Sequence, residues 1–307
     1  KKSVISHLKK ENKYLEDWFA LKKDSRKNIF KEITARIPKK EESVPVRMGS
    51  YEYFRRYKTD KEYPILIRRE DKNAKEVIFL DVNKLAEGSD FYQLSNWSIS
   101  PSENIIAIAE DLTGRRQYKI RIKDLSSGFF LKDELTGTSG DMAWSADGDF
   151  IFYVARDPKT LLPFQVYRHR IGEKQSKDEL IYKESDSTFN VSVGNSRSMD
   201  FIEIDVSSTT SSEVMLIDAD KPLSKPKIFY KRVKDHLYSV EHDPKRNRFL
   251  IHTNWQAKNF RLLESHLEDS SKRSAWKELI PHKKDILLQS VLAYEENLVV
   301  MERKNGL

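Results

Sequence analysis

The stretch WSISPSENIIAIAEDLTGRRQYKIRIKDLSSG, from Trp97 to Gly128, decides the fold. It reads as a strand into a tight turn at Pro101–Asn104, then an apolar strand over Ile105–Glu110. A polar connection, Leu112–Gln117, leads to an alternating strand over Tyr118–Leu125 and a second turn at Ser126–Gly128. That is most of one four-stranded antiparallel unit, and the sequence repeats it. The turn recurs as Ser145-Ala-Asp-Gly-Asp149, near Gly194-Asn-Ser-Arg197, and as Asp243-Pro-Lys-Arg-Asn247, at intervals of about 45 to 49 residues. The third strand recurs as FQVYRHRIG from Phe164, EVMLIDADKP from Glu213 and FRLLESHLED from Phe260. Four short strands per period of this length are the mark of β-propeller blades. A single blade cannot bury both faces, so neighbours must stack.

Working outward, the blades fall into place. Residues 44 to about 83 read as a first blade rich in Tyr and Arg, the opening stretch as the second, and Asp141–Tyr182 as the third. Phe189–Tyr230 and Tyr238–Ile280 are the fourth and fifth, and Asp285–Leu307 is the inner half of a sixth. Ahead of them, Val4, Leu8, Leu15, Trp18 and Phe19 share one helical face, and Ile29, Phe30, Ile33 and Ile37 share another. Asp24 or Ser25 is expected to cap the second helix, and Pro38 to end it. The fold class is therefore mainly β: two α-helices in a segment 1–42, then an incomplete β-propeller of about five blades plus part of a sixth over 43–307. The missing initiator methionine and the half blade at the end fit a piece of a longer chain.

Charge and composition narrow the function. The net charge of +7 points to nucleic acid only until it is located. Residues 1–42 hold 13 basic and 7 acidic side chains, which leaves the remaining 265 residues at +1. No basic stripe crosses the blades, so no nucleic-acid partner is expected. With no run near 18 apolar residues, no membrane partner is expected either. The absence of cysteine removes disulfides and thiolate metal sites, and together with the lack of an export signal favours a cytoplasmic setting. No cofactor or metal is expected.

Searching for chemistry returns little. There is no G-x-S-x-G elbow, Walker loop, G-x-G-x-x-G or H-E-x-x-H. The seven histidines are scattered; His169 reads as a surface or cross-strand residue and His242 as part of a turn. Asp81, Asp124 and Asp218 end strands, where a carboxylate can accept backbone N–H bonds. Two N-x-S matches, at Asn96 and Asn190, read as coincidence, and Trp144 reads as inter-blade packing. Only Arg115-Arg116 stands out. Two adjacent guanidinium groups in a connection between second and third strands suit a carboxylate, on a peptide or on another domain. Arg116 is preferred because Gln117-Tyr118 begins the next strand.

At these residues the chain resembles the oligopeptidase B (protease II) branch of the prolyl oligopeptidase family of serine peptidases. The matching segments are KEYPILIRRE from Lys61, AEDLTGRRQYKIRIKDLSSG from Ala109 and RDPKTLLPFQVYRHRIG from Arg156. TFNVSVGNSRS from Thr188, SSTTSSEVMLIDAD from Ser207 and AKNFRL from Ala257 extend the likeness over nearly the whole chain. The resemblance implies a seven-bladed propeller joined to an α/β-hydrolase domain with a Ser, Asp and His triad. It also implies cleavage of short basic peptides after Lys or Arg. None of the family's catalytic residues maps onto this chain, so its own hydrolase domain is the expected partner. The chain alone is expected to be inactive, with Arg115 and Arg116 as its substrate-binding or domain-interface residues. The rival expectation is a non-catalytic propeller scaffold that binds proteins through its loops.

Overall fold

The computed structural model describes residues 1–307. The chain divides into two compact units, Lys1–Leu85 and Ala86–Leu307.

The first unit opens with helices α1 (Lys2–Ala20) and α2 (Lys23–Ala35). Neither has a buried residue, and neither is long and apolar enough to cross a membrane. The expected cap at Asp24 or Ser25 is not formed: α2 begins two or three residues earlier, behind Lys22, with no side-chain cap. Its first-turn Asp24 lies inside the helix, where a carboxylate still complements the positive end of the dipole. A sheet follows, ordered Glu41–Glu42, Tyr51–Tyr57, Pro64–Arg69, Val77–Asp81, with Val46–Met48 also on Tyr51–Tyr57. Phe54, Ile65 and Ile67 form its small core.

The second unit is built from the repeat. Strands Gln93–Ile99, Ile105–Asp111 and Tyr118–Asp124 are the first three of one blade. The next strand, Phe130–Trp144, is fifteen residues long and serves two blades. Its first part pairs with Tyr118–Asp124, and its second part becomes the inner strand against Phe150–Arg156. Thr138 is paired on both sides, with Tyr118 and with Ala155. The sequence GTSG makes the bend possible, because Gly137 and Gly140 take φ of +70° and +90°, which side chains with a Cβ resist. The expected third blade thus has no separate start near Asp141, and a seven-stranded sheet runs through to Pro163–Arg170 and Glu179–Lys183.

Two further four-stranded sheets follow, Asn190–Asn195 to Lys227–Tyr230 and Tyr238–Asp243 to Lys277–Ile280. The hairpin Ile286–Ala293 with Leu298–Lys304 closes the chain. Three of the four recurring turns share one physical cause. Ser100, Ser145 and Ser196 each accept an amide bond on Oγ from the residue five positions later, at 3.3, 3.0 and 3.1 Å. The third turn therefore starts at Ser196; Gly194, where the sequence placed it, is still in a strand.

Packing follows the pleat. In Phe150–Arg156, Ile151 and Tyr153 join a cluster with Ile120, Leu135 and Trp144, while Phe152 and Val154 join Ile202, Ile204 and Val206 of the next blade. Alternate side chains thus fill opposite inter-blade layers, so the strand reads as one apolar run, as strands buried on both faces do. Trp144 lies at the centre of the first layer, fully buried, with Nε1 donating to the Ser98 carbonyl at 3.4 Å.

Candidate functional site

The connection that carries Arg115 and Arg116 is organised by the carboxylate that precedes it. Asp111 closes its strand and is fully buried. Its Oδ1 accepts from the Thr113 amide and hydroxyl at 2.8 and 2.7 Å, and its Oδ2 accepts from the Arg116 amide at 2.7 Å. Burial pushes the Asp111 carboxyl upward, but these donors more than offset it and hold the group below the usual carboxylate range. Arg116 sits at φ 56°, in the left-handed region. Its carbonyl accepts from Arg156 Nη1 at 2.8 Å, so its backbone is fixed from both sides. Arg115 is tied only by its amide, to Thr113 Oγ1 at 3.1 Å. Both side chains are exposed, and neither guanidinium engages an acceptor in the chain.

The next connection follows the same plan. Asp157 Oδ1 accepts from the amides of Lys159 and Thr160 and from the Thr160 hydroxyl, at 2.9, 2.8 and 3.0 Å. Those bonds, the Thr160 amide first, hold its carboxyl below the ordinary range. Leu161, at φ 63°, occupies the place Arg116 takes one blade earlier. Connections between second and third strands lie beside those that join successive blades. The Asp235 amide reaches Ser211 Oγ at 3.0 Å and the Leu237 amide reaches Asn254 Oδ1 at 2.9 Å.

Arg156 is the residue that sequence reasoning missed. It opens the RDPKTLLP segment, ends its strand and spans to the Arg116 carbonyl, with its guanidinium 5.6 Å from the Tyr118 ring centroid. No local pattern marks that reach of 40 residues along the chain; only the repeat, which sets the two connections side by side, could have found it.

The histidines depart from their expected places. His169 is not at the surface: it is fully buried, with Nδ1 2.6 Å from Asp178 Oδ1 and Nε2 3.0 Å from Asp133 Oδ1. Burial opposes its charge, but the two carboxylates win and raise its pKa. With no nucleophile beside it, this arrangement ties the strand of Asp133 to the strand of His169. His242 lies within the strand Tyr238–Asp243, not in a turn, and meets Ser198 Oγ at 2.9 Å and Asp200 Oδ2 at 3.1 Å in the preceding blade's turn. Asp81, Asp124 and Asp218 do accept amide bonds, from Asn83, Ser127 and Asp220 at 3.1, 2.7 and 3.1 Å. No group of three or more His, Asp or Glu side chains is arranged to hold a metal ion.

Glu203 and Asp205 were not singled out by sequence. They share one face of the strand Phe201–Ser207, opposite Gly194 and Ser192. Burial, with Asp205 and Glu241 nearby, pushes Glu203 up to about 8, and burial pushes Asp205 up to about 6.

Stacked four-stranded units with this repeat define a β-propeller domain, and comparison with known proteins places it. The family model for the prolyl oligopeptidase N-terminal β-propeller domain matches residues 1–307, and the chain belongs to that family. It is 34% identical over 326 residues to dipeptidyl aminopeptidase BI of Pseudoxanthomonas mexicana, a match covering 100% of this chain and 44% of that protein. It is 34% identical over 312 residues to protease 2 of Moraxella lacunata, covering 99% and 44%. Among solved structures, oligopeptidase B from Leishmania major superposes with a TM-score of 0.92 at 29% identity, over 99% of this chain and 43% of that one. The chain thus spans less than half the length of the relatives it matches.

Proposed function

We propose that this chain is the substrate-gating propeller of a serine oligopeptidase that hydrolyses short peptides after Lys or Arg. The observation that carries the reading is the match of 99% of the chain, at 34% identity, to a protein named as a protease and more than twice as long. In that arrangement the propeller covers the active site of an α/β-hydrolase domain, so that only short, flexible peptides reach the nucleophile. A solved relative, oligopeptidase B from Trypanosoma brucei with covalently bound antipain, is described as a closed form, which fits gating by opening and closing. The connections after Asp111 and Arg156 are assigned to the face turned toward the hydrolase domain. Their exposed cations, Arg115 and Arg116, then meet a peptide or that domain.

Catalysis is assigned elsewhere, because the 307 residues hold no nucleophile elbow around which an oxyanion hole could form. The test uses both forms. The purified 307-residue chain is expected to turn over no Arg or Lys ester or amide. The complete protein is expected to cleave after Lys or Arg and to be blocked by serine-directed reagents. Turnover by the chain alone would overturn the assignment of catalysis elsewhere, and an inert complete protein that instead captures partners through its loops would favour the scaffold reading.

A further inference from the structure

We propose that His236 and Arg273 form an acid-released latch, which holds the connection 266–276 across the seam between two neighbouring sheets while the imidazole is neutral. The seam is an aromatic layer. Phe229 and Tyr230 of the sheet ending in Lys227–Tyr230 meet Tyr238, Phe249 and Trp276 of the sheet that opens with Tyr238–Asp243. Arg273 reaches over both sides of it. Its guanidinium carbon lies 3.4 Å from the ring centroid of Trp255, in its own sheet's loop, and 4.6 Å from that of Tyr230 in the preceding sheet. Its Nη2 stands 3.3 Å from Nδ1 of His236, which belongs to the link between the two sheets. No carboxylate is paired with this guanidinium, and its Nε is buried with no acceptor in the chain. Ring faces and one imidazole nitrogen therefore hold the cation in place.

The protons on this cluster follow from its donors. A guanidinium has no acceptor, so His236 Nδ1 carries the lone pair. The ring proton then sits on Nε2 and is donated to Thr253 Oγ1 at 2.8 Å, and that hydroxyl donates to the Leu237 carbonyl at 3.2 Å. Each bond sets the direction of the next, and together they require the neutral ring. His236 is buried, and its backbone is pinned by bonds from its amide to the Val233 carbonyl and from the Ser212 amide to its own carbonyl. A second ring proton would turn Nδ1 from acceptor to donor and set two cations in contact. The groups packed on the ring offer that charge nothing. They are Tyr230, Tyr238, Trp255 and Trp276, with Arg273 the one charged neighbour; Lys234 and Asp235, beside it in the chain, are exposed. Burial first, and Arg273 second, lower the His236 pKa to about 4. With the latch open, the ring returns to its ordinary value of about 6.5. Between those values the closed state holds fewer protons than the open one. Closure is therefore full above about pH 6.5 and weakens by up to about tenfold per pH unit as pH falls toward 4.

The test uses the complete protein and hydrogen exchange read by mass spectrometry, corrected for the intrinsic effect of pH on exchange. The amides of Asp269, Lys272, Ala275 and Trp276 are bonded within the connection and report its order. Their opening is expected to rise by about tenfold between pH 6.5 and pH 5, while the strand Ile105–Asp111 stays protected. His236→Asn keeps an acceptor at the Nδ1 position without a titrating group, and should stay closed at both pH values. Arg273→Met keeps an apolar contact with Trp255 but no charge. It should flatten the pH dependence and move the His236 pKa, measured by exchange of the ring C2 hydrogen, up toward about 6.5. Asp269→Asn removes the surface pair with Lys272 and should leave the pH step in place. Protection that does not change with pH in the unaltered protein would overturn the latch. So would a step that survives His236→Asn, a step lost in Asp269→Asn, or a His236 pKa that Arg273→Met does not move. Should His236→Asn fail to fold, the unaltered protein decides: a His236 pKa at or above about 6.5 overturns the proposal, and one well below it supports it.

Discussion

The helical segment and the second unit contrast in how much of each is decided locally. Helices α1 and α2 follow from spacing and propensity alone, and their apolar stripes stay exposed, Trp18 at 47% and Phe30 at 68%. The blades have weak local signals and dense burial: every side chain from Ile106 to Ala109 and from Ile151 to Val154 is within 2% of full burial. An amphipathic helix announces itself without a partner. A strand in an inter-blade layer exists only because both of its faces are covered.

The sharpest way to break that contrast is to remove one tryptophan from each region of the 307-residue chain. Trp144→Ala should lower the unfolding free energy by about 3–5 kcal/mol, because it empties a closed inter-blade site and strands the Ser98 carbonyl. Trp18→Ala on α1, whose ring meets only the edge of Phe19 at 5.0 Å, should change it by less than about 0.5 kcal/mol. Urea unfolding measures both, and comparable losses would mean that the layers are not where stability resides.

A smaller effect, confined to the blades, depends on pH. The folded-state pKa of Glu203 lies above its unfolded value, so between about pH 4.5 and 8 the native state holds more protons than the unfolded chain. Stability should then fall as pH rises through that window. His169 acts in the same direction: its raised pKa makes its contribution full below about pH 6.5 and lost as pH rises through the folded value. Glu203→Gln should flatten the decline measured by urea midpoints at pH 5 and pH 8. An unchanged slope would remove Glu203 from the account.

The smallest effect concerns the repeated turn. Glu103, Gly148 and Met199 stand three residues after Ser100, Ser145 and Ser196, all with positive φ, of 58°, 75° and 64°. Only the middle one is the residue that this geometry favours. Met199→Gly should therefore stabilise by up to about 1 kcal/mol, and Gly148→Ala should destabilise by about as much. A loss of stability in Met199→Gly would show that the Met side chain contributes more than its backbone strain costs.

What was legible in the sequence follows this division. The repeat gave the blades and the inner position of Trp144, because turns and apolar runs are local. It misplaced the third turn by two residues, since Gly194 resembles a turn residue and the serine that organises the turn is inconspicuous. It also split the strand Phe130–Trp144, because two glycines in four residues normally mark a break. At the site, Arg115 and Arg116 were visible as a pair, but the roles of Asp111 and Arg156 depend on contacts that no window of sequence contains. His169 reads as a surface or cross-strand residue; the cross-strand alternative holds, and its burial was not visible because its two carboxylates lie 36 and 9 positions away.

The shared strand has a mechanical consequence. Neighbouring blades elsewhere meet through side-chain layers and isolated main-chain hydrogen bonds, such as those from the Ala146 amide to the Ala219 carbonyl and from the Ser212 amide to the His236 carbonyl. At the joint spanned by Phe130–Trp144 the main chain itself crosses, laddered to both neighbours and pinned at Thr138. Parting those two blades would mean unzipping amide bonds in sequence, a stiff path for a pulling force. Any breathing of the stack is therefore directed to its other seams, and the blades that carry Arg116 and Arg156 travel as one plate.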